Sequence, residues 1–124
     1  TFDAAKASAN SSATVVKPMK IAANATISNL KIHVDQAAVS PIEIIDGAAN
    51  VTFDNLTVSS TNEYPLVKVL GTNQKITVRN SSLLLTSGKS NQSGFNIQNG
   101  GTGNVITALL ENSYIGFGAE VECG

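Results

Sequence analysis

Charge is scarce in this chain of 124 residues: Asp, Glu, Lys and Arg make up 14% of it and sum to a formal net charge of -1. Arg79 is the only arginine and no basic stripe exists, so the electrostatic footprint of a nucleic-acid binder is missing. Tryptophan is absent, aromatics amount to 5%, and there is one histidine, His33. The single cysteine, Cys123, excludes an internal disulfide framework and any Cys-based zinc site, and reads as an idle thiol. The longest apolar runs span a few residues, against the roughly 20 needed to cross a bilayer. The opening TFDAAKASAN lacks the basic-then-apolar form of a signal peptide. A soluble single domain with one modest core and no membrane insertion is expected.

Asn, Ser, Thr and Gly are plentiful, giving a surface that is polar without being charged. That tone is common in extracellular or virion β-proteins and unusual for a cytosolic enzyme. Six Asn-x-Ser/Thr triplets begin at Asn10, Asn24, Asn50, Asn55, Asn80 and Asn91, two of them inside NVTFDNLTV. A heavily glycosylated domain is one explanation; a structural repeat that sets Asn and Thr two apart is another.

The repeat is present. Ala25–Ile32, Val51–Val58, Ile76–Leu83 and Ala108–Ile115 share the pattern apolar-x-apolar-x-Asn-x-x-apolar, with Asn29, Asn55, Asn80 and Asn112 spaced by 26, 25 and 32 residues. A second family lies between them: Pro41–Ile44, Pro65–Val69 and Gly94–Ile97, keeping the offset of 25 from Ile42 and Ile44 to Val67 and Val69. The longer last interval is taken up by TSGKSNQS (86–93) and GGTGN (100–104), both rich in turn formers. Apolar residues alternate within each segment, which is the period of a strand and not of a helix. Three short strands per repeat then make one coil of a solenoid. The Asn interrupts the alternation by taking a left-handed conformation it tolerates well, and stacked Asn amides can hydrogen-bond from coil to coil.

The Asn29/Asn55/Asn80/Asn112 column and its flanking strands resemble the right-handed parallel β-helix family of pectate lyases, polygalacturonases and phage tailspikes. The resemblance covers about residues 15–118 and implies an all-β fold: a short single-stranded right-handed parallel β-helix of about four coils of three strands, with an Asn ladder. Residues 1–14 are expected to be an N-terminal arm or cap, and 119–124 a C-terminal tail. The ladder turns Asn55 inward, where an oligosaccharide has no room, so the two sugar signals of NVTFDNLTV become a register mark.

Inward columns follow: Ala25/Val51/Ile76/Ala108, Ile27/Phe53/Val78/Leu110, Leu30/Leu56/Ser81/Ser113 and Ile32/Val58/Leu83/Ile115. These are core and imply no cofactor. Outward, Thr26/Thr52/Thr77 form a threonine ladder, and Ser28/Asp54/Arg79/Glu111 read as a cross-coil ion ladder, which spoils the flat uncharged face an ice binder needs. On the first strand Glu43/Lys68/Asn96 form a column beside Tyr64, on the face where the resembled enzymes build their sites. The bland reading is a solvated Glu–Lys pair and one exposed aromatic; the sharper one is a carbohydrate-binding groove of Glu43, Tyr64, Lys68 and Asn96.

Catalysis is not expected. Glycoside hydrolysis needs two carboxyl groups about 5 to 9.5 Å apart, and the Asn-Thr-Asp, Asp-Asp, Gly-His-Gly and Arg-Ile-Lys motifs of the polygalacturonases are absent. Nor does an acidic calcium cluster accompany Arg79. A Ser-His-Asp system would have to use His33, which reads as a surface histidine. Gly100–Gly103 lacks the Lys and helix of a phosphate loop. Four coils at about 4.8 Å make a stack on the order of 20 Å high, with strand edges that must be capped or joined. The expectation is a non-enzymatic structural or attachment protein with no cofactor or metal, located in a virion or outside the cell. A phage tailspike, fibre or capsid decoration component fits, assembled with other subunits and homo-oligomeric, a trimer by analogy. The alternative is a carbohydrate-binding or polysaccharide-degrading module acting on a surface polysaccharide; a bacterial adhesin shares the architecture.

Overall fold

The computed structural model describes residues 14–86, 92–98 and 103–117. The expected arm (apart from Thr14), the tail 119–124, Cys123 and most of both turn insertions lie outside the described residues. Among the described residues the protein is all-β: β1 Thr14–Val15, β2 Met19–Ile21, β3 Ala25–Val34, β4 Ile42–Ile44, β5 Asn50–Ser60, β6 Val67–Val69, β7 Lys75–Arg79, β8 Ser82–Leu85, β9 Phe95–Ile97, β10 Thr107–Glu111 and β11 Tyr114–Phe117.

Every strand pairing is parallel. A large sheet of seven strands holds β1, β3, β5, β7, β8, β10 and β11; a small one runs β2-β4-β6-β9. The chain alternates between them and advances one strand each time. Parallel neighbours require a crossover, and here the crossover is a strand of the opposite sheet with its turns.

The expectation of three separate strands per repeat holds in the last two circuits (β6/β7/β8 and β9/β10/β11) and not in the two before them, and all the strands lie in two sheets. In β3 and β5 the strand continues through Asn29 and Asn55, while β7/β8 and β10/β11 break at Asn80 and Asn112. The backbone pairing skips the Asn: Ser28 pairs with Asp54 and Leu30 with Leu56. One left-handed residue bends a strand without forcing its partner out of register, so both halves stay in one sheet.

Like positions stack. Ile27, Phe53, Val78 and Leu110 follow one another across the large sheet, as do Ile32, Val58, Leu83 and Ile115. The small sheet adds Ile21/Ile44/Val69/Ile97. Residues of both sheets form one buried cluster, with Phe53, Ile32, Leu56, Ile42, Ile44 and Val67 fully enclosed. The last members of the inward columns depart from expectation: Leu110, Ile115 and Ile97 are 43%, 37% and 49% exposed. No further strand lies on β9, β10 or β11 among the described residues, so the stacked columns end there.

Polar side chains fasten one circuit to the next at the turns. Gln74 is buried; its Nε2 donates to the carbonyls of Ile45 (2.8 Å) and Ala48 (2.9 Å), and its Oε1 accepts from Gly71 N at 3.0 Å. Gly47, at φ 99°, passes so close to the first circuit that a Cβ would run into the Ala22 carbonyl oxygen. Beside the Asn corner, Ser81 Oγ accepts from Leu56 N at 3.0 Å and donates to Arg79 O at 2.8 Å. Gln74→Leu takes the amide partner from the Ala48 carbonyl and the Gly71 N–H, while Ile45 O keeps Ala48 N, and each such loss costs about 1–3 kcal/mol. The expected result is a fall of about 3 kcal/mol in the unfolding free energy, read from urea denaturation; a change under about 1 kcal/mol would contradict this account of the turn.

Candidate functional site

The outer face of the small sheet carries the residues singled out from sequence. Glu43 pairs in register with Lys68, and Lys68 with Asn96. One member was missed: β2 places Lys20 beside Glu43, so the column is Lys20/Glu43/Lys68/Asn96. The signal was Pro18-Met19-Lys20-Ile21, a further Pro-led segment; its offset of 23 to Ile42, two short of the period, hid it.

Tyr64 stands on the turn between β5 and β6, and Asn62 builds that turn. Its Nδ2 donates to the carbonyls of Gln36 (2.6 Å) and Val39 (2.9 Å) of the preceding circuit, and its Oδ1 accepts from Tyr64 N at 2.7 Å. Gln92 Nε2 donates to Asn62 O at 3.0 Å from the following circuit. The ring is thereby held beside Lys68, whose Nζ lies 5.7 Å from the ring centroid, within cation–π range. The Glu43–Lys68 ion pair expected from sequence does not form: the ion pairs among the described residues are His33–Asp35 and Arg79–Asp54.

A cleft of about 350 Å³ opens here, lined by Tyr64, Pro65, Lys68, Asn96, Gln98 and Glu63. The structure therefore gathers Tyr64, Lys68 and Asn96, and leaves Glu43 next in the column but outside the lining. The cleft offers an aromatic face, a cation and two amides, suited to a hydroxyl-rich ligand. Glu63 is its one carboxylate among the described lining residues, where glycoside hydrolysis uses two. No group of three His, Cys, Asp or Glu able to hold a metal exists among the described residues.

The Asn column lies on the opposite sheet. Asn29, Asn55, Asn80 and Asn112 have φ of 59°, 58°, 51° and 47°. Asn55 Nδ2 donates to Asn29 Oδ1 at 2.9 Å, and Asn112 Nδ2 to Asn80 Oδ1 at 2.8 Å. Between them Asn80 Nδ2 turns to Asp54 Oδ1 at 3.1 Å instead of to Asn55. The inward orientation expected of Asn55 is corrected, since its side chain is exposed. With Phe53 and Leu56 both inward, the two residues between them face out together, and Asp54 becomes a competing acceptor. The ion ladder reduces to Arg79 Nε–Asp54 Oδ2 at 3.3 Å, both side chains partly exposed.

A second cluster escaped the sequence reading. Ser59 Oγ lies 2.6 Å from His33 Nδ1, and His33 Nε2 2.8 Å from Asp35 Oδ1. The signal was the same 26-residue offset that sets Asn55 beside Asn29.

Comparison of the chain with protein-family models, curated proteins and solved structures finds no match. What the geometry itself defines is a class: an all-β protein of stacked parallel strands in two sheets.

Two substitutions test the outer face of the large sheet by chemical denaturation. Arg79→Ala is expected to change stability by less than about 1 kcal/mol, because the pair is solvent-screened. Asn55→Ala both strains the corner and removes an amide bond, for a loss of about 2 kcal/mol. Asn55→Gly, which accepts the positive φ, is expected to recover about half of it.

Proposed function

We propose that the chain is a short single-stranded right-handed parallel β-helix of about four coils, with the Asn column as its ladder, serving as a structural and attachment component of a larger assembly. The observation that carries this reading is the exposure of the last described circuit: among the described residues its in-register strands end on the core-type residues Ile97, Leu110 and Ile115, which are 49%, 43% and 37% exposed. Unpaired parallel edges with apolar inward faces are surfaces that favour joining to another chain. The function is mechanical. A low-charge stack of strands, fastened circuit to circuit by turn amides such as Gln74 and Asn62, resists local opening and transmits load along its length. A virion component such as a tailspike, fibre or capsid decoration, located in the virion or outside the cell, suits this design, with a trimer as the expected homo-oligomer.

The cleft of Tyr64, Lys68 and Asn96 favours a second reading, a carbohydrate-binding module. Polysaccharide degradation is the weaker form of it, given a single carboxylate among the described lining residues. Light scattering coupled to size exclusion and a glycan array separate the two. A trimer with no glycan bound supports the assembly role. A monomer that binds a glycan, and loses at least tenfold in affinity in Lys68→Ala and Tyr64→Ala, replaces it with the second reading; a monomer that binds none overturns both.

A further inference from the structure

The mechanical reading leaves unused the cluster on the outer face of the large sheet. β3 and β5 pair Ile32 with Val58 and His33 with Ser59. Ile32 and Val58 are in the core, so alternation sets His33 and Ser59 side by side on the outer side of the sheet, where Ser59 is largely covered between His33 and Leu84. Asp35 follows directly after the end of β3. A carboxylate only accepts, so the hydrogen on His33 Nε2 is donated to Asp35. In the neutral ring Nδ1 is then the acceptor, and the Ser59 hydroxyl donates to it across 2.6 Å. Hydroxyl to imidazole to carboxylate is the order of a nucleophile, its general base and the group that orients the base. The adjoining register pair on the same face is Lys31 and Thr57, an ammonium and a hydroxyl about 7 Å along the strands.

We propose that Ser59 is a nucleophile toward small acyl esters, with His33 as its general base and Asp35 as a positioning residue. Ser59 Oγ attacks the ester carbonyl carbon while its proton passes to His33 Nδ1. The bond from that carbon to the alcohol oxygen breaks, and His33 returns the proton to the leaving alkoxide. Water then attacks the acyl group on Ser59, giving its proton to the same nitrogen; the acyl–Oγ bond breaks, Ser59 regains a proton and a carboxylic acid leaves. Lys31, two residues before His33, adds a cation to the same side of the sheet. Access sets the substrate class. Ser59 is 7% exposed and the His33 side chain 36%, so little space is open at the hydroxyl, which restricts the acyl group to a short one such as acetyl.

The activity stands apart from the mechanical role, and the test reads it directly on the full chain with p-nitrophenyl acetate and a fluorophosphonate probe. The expected result is one phosphonyl adduct, mapped to Ser59 by mass spectrometry, together with ester hydrolysis above the buffer rate. Ser59→Ala removes both. His33→Gln slows adduct formation by roughly 10²–10⁴-fold, the usual contribution of a general base. Asp35→Asn slows it as well and displaces its pH profile, which a merely structural contact would leave in place. Ser59→Cys guards against loss of fold, because its thiol is expected to take iodoacetamide faster than the same variant carrying His33→Gln. No adduct on Ser59 in the unaltered protein, an adduct rate indifferent to His33→Gln, or hydrolysis that survives Ser59→Ala would each overturn the proposal.

Discussion

No circuit of this protein holds a core alone. A strand of three residues, such as Ile42–Ile44 or Val67–Val69, buries two side chains and leaves both its edges unpaired. What stabilises it is in-register stacking on the equivalent strand of the next circuit, which satisfies the backbone and closes the apolar column in one step. Everything else is subordinate to keeping that register. The turns are fixed from within by Gln74 and Asn62, each reaching back to carbonyls of the circuit before. Asn112 still meets Asn80 after an interval of 32 residues, because the extra chain is confined to turns.

The corner residues show how one constraint produces several features. A left-handed residue lets Phe53 and Leu56 both face the core. It also throws two successive side chains outward, which sets Asp54 next to Asn55. From that follow the exposed Asn column, the diversion of Asn80 to Asp54 and the Asp54–Arg79 pair. The same outward alternation, further along β3 and β5, brings Ser59 to His33. The sites are thus products of register, since Ser59 meets His33 and Asn96 meets Lys68 about one period away.

Much of this was legible in the chain because the repeat is written in side-chain types that only one register satisfies. The apolar columns from Ile27 to Val78 and from Ile32 to Leu83 stand as the alternation placed them. Tyr64, Lys68 and Asn96 converge because two of them share a column and the third precedes it by one turn. The failures have specific causes. Lys20 was hidden by an offset two residues short. Glu43 belongs to the column but not to the cleft, because the cleft opens between Lys68 and the following circuit, where Asn96 and Gln98 line it. Asn55 faces outward because a left-handed corner directs its side chain away from the core, a matter of backbone geometry that composition does not carry.

The sequence by itself determined the all-β class, the strand period, the repeat and which apolar faces meet, since these depend on local pattern repeated at a fixed spacing. Tertiary structure alone decided that two sheets, not three, enclose the core, that Lys68 lies against Tyr64 instead of pairing with Glu43, and that Ser59, His33 and Asp35 form one chain of hydrogen bonds. Those outcomes turn on distances of a few ångströms between residues a full circuit apart, and such distances are set by how the circuits bend and stack, not by the order of residues along them.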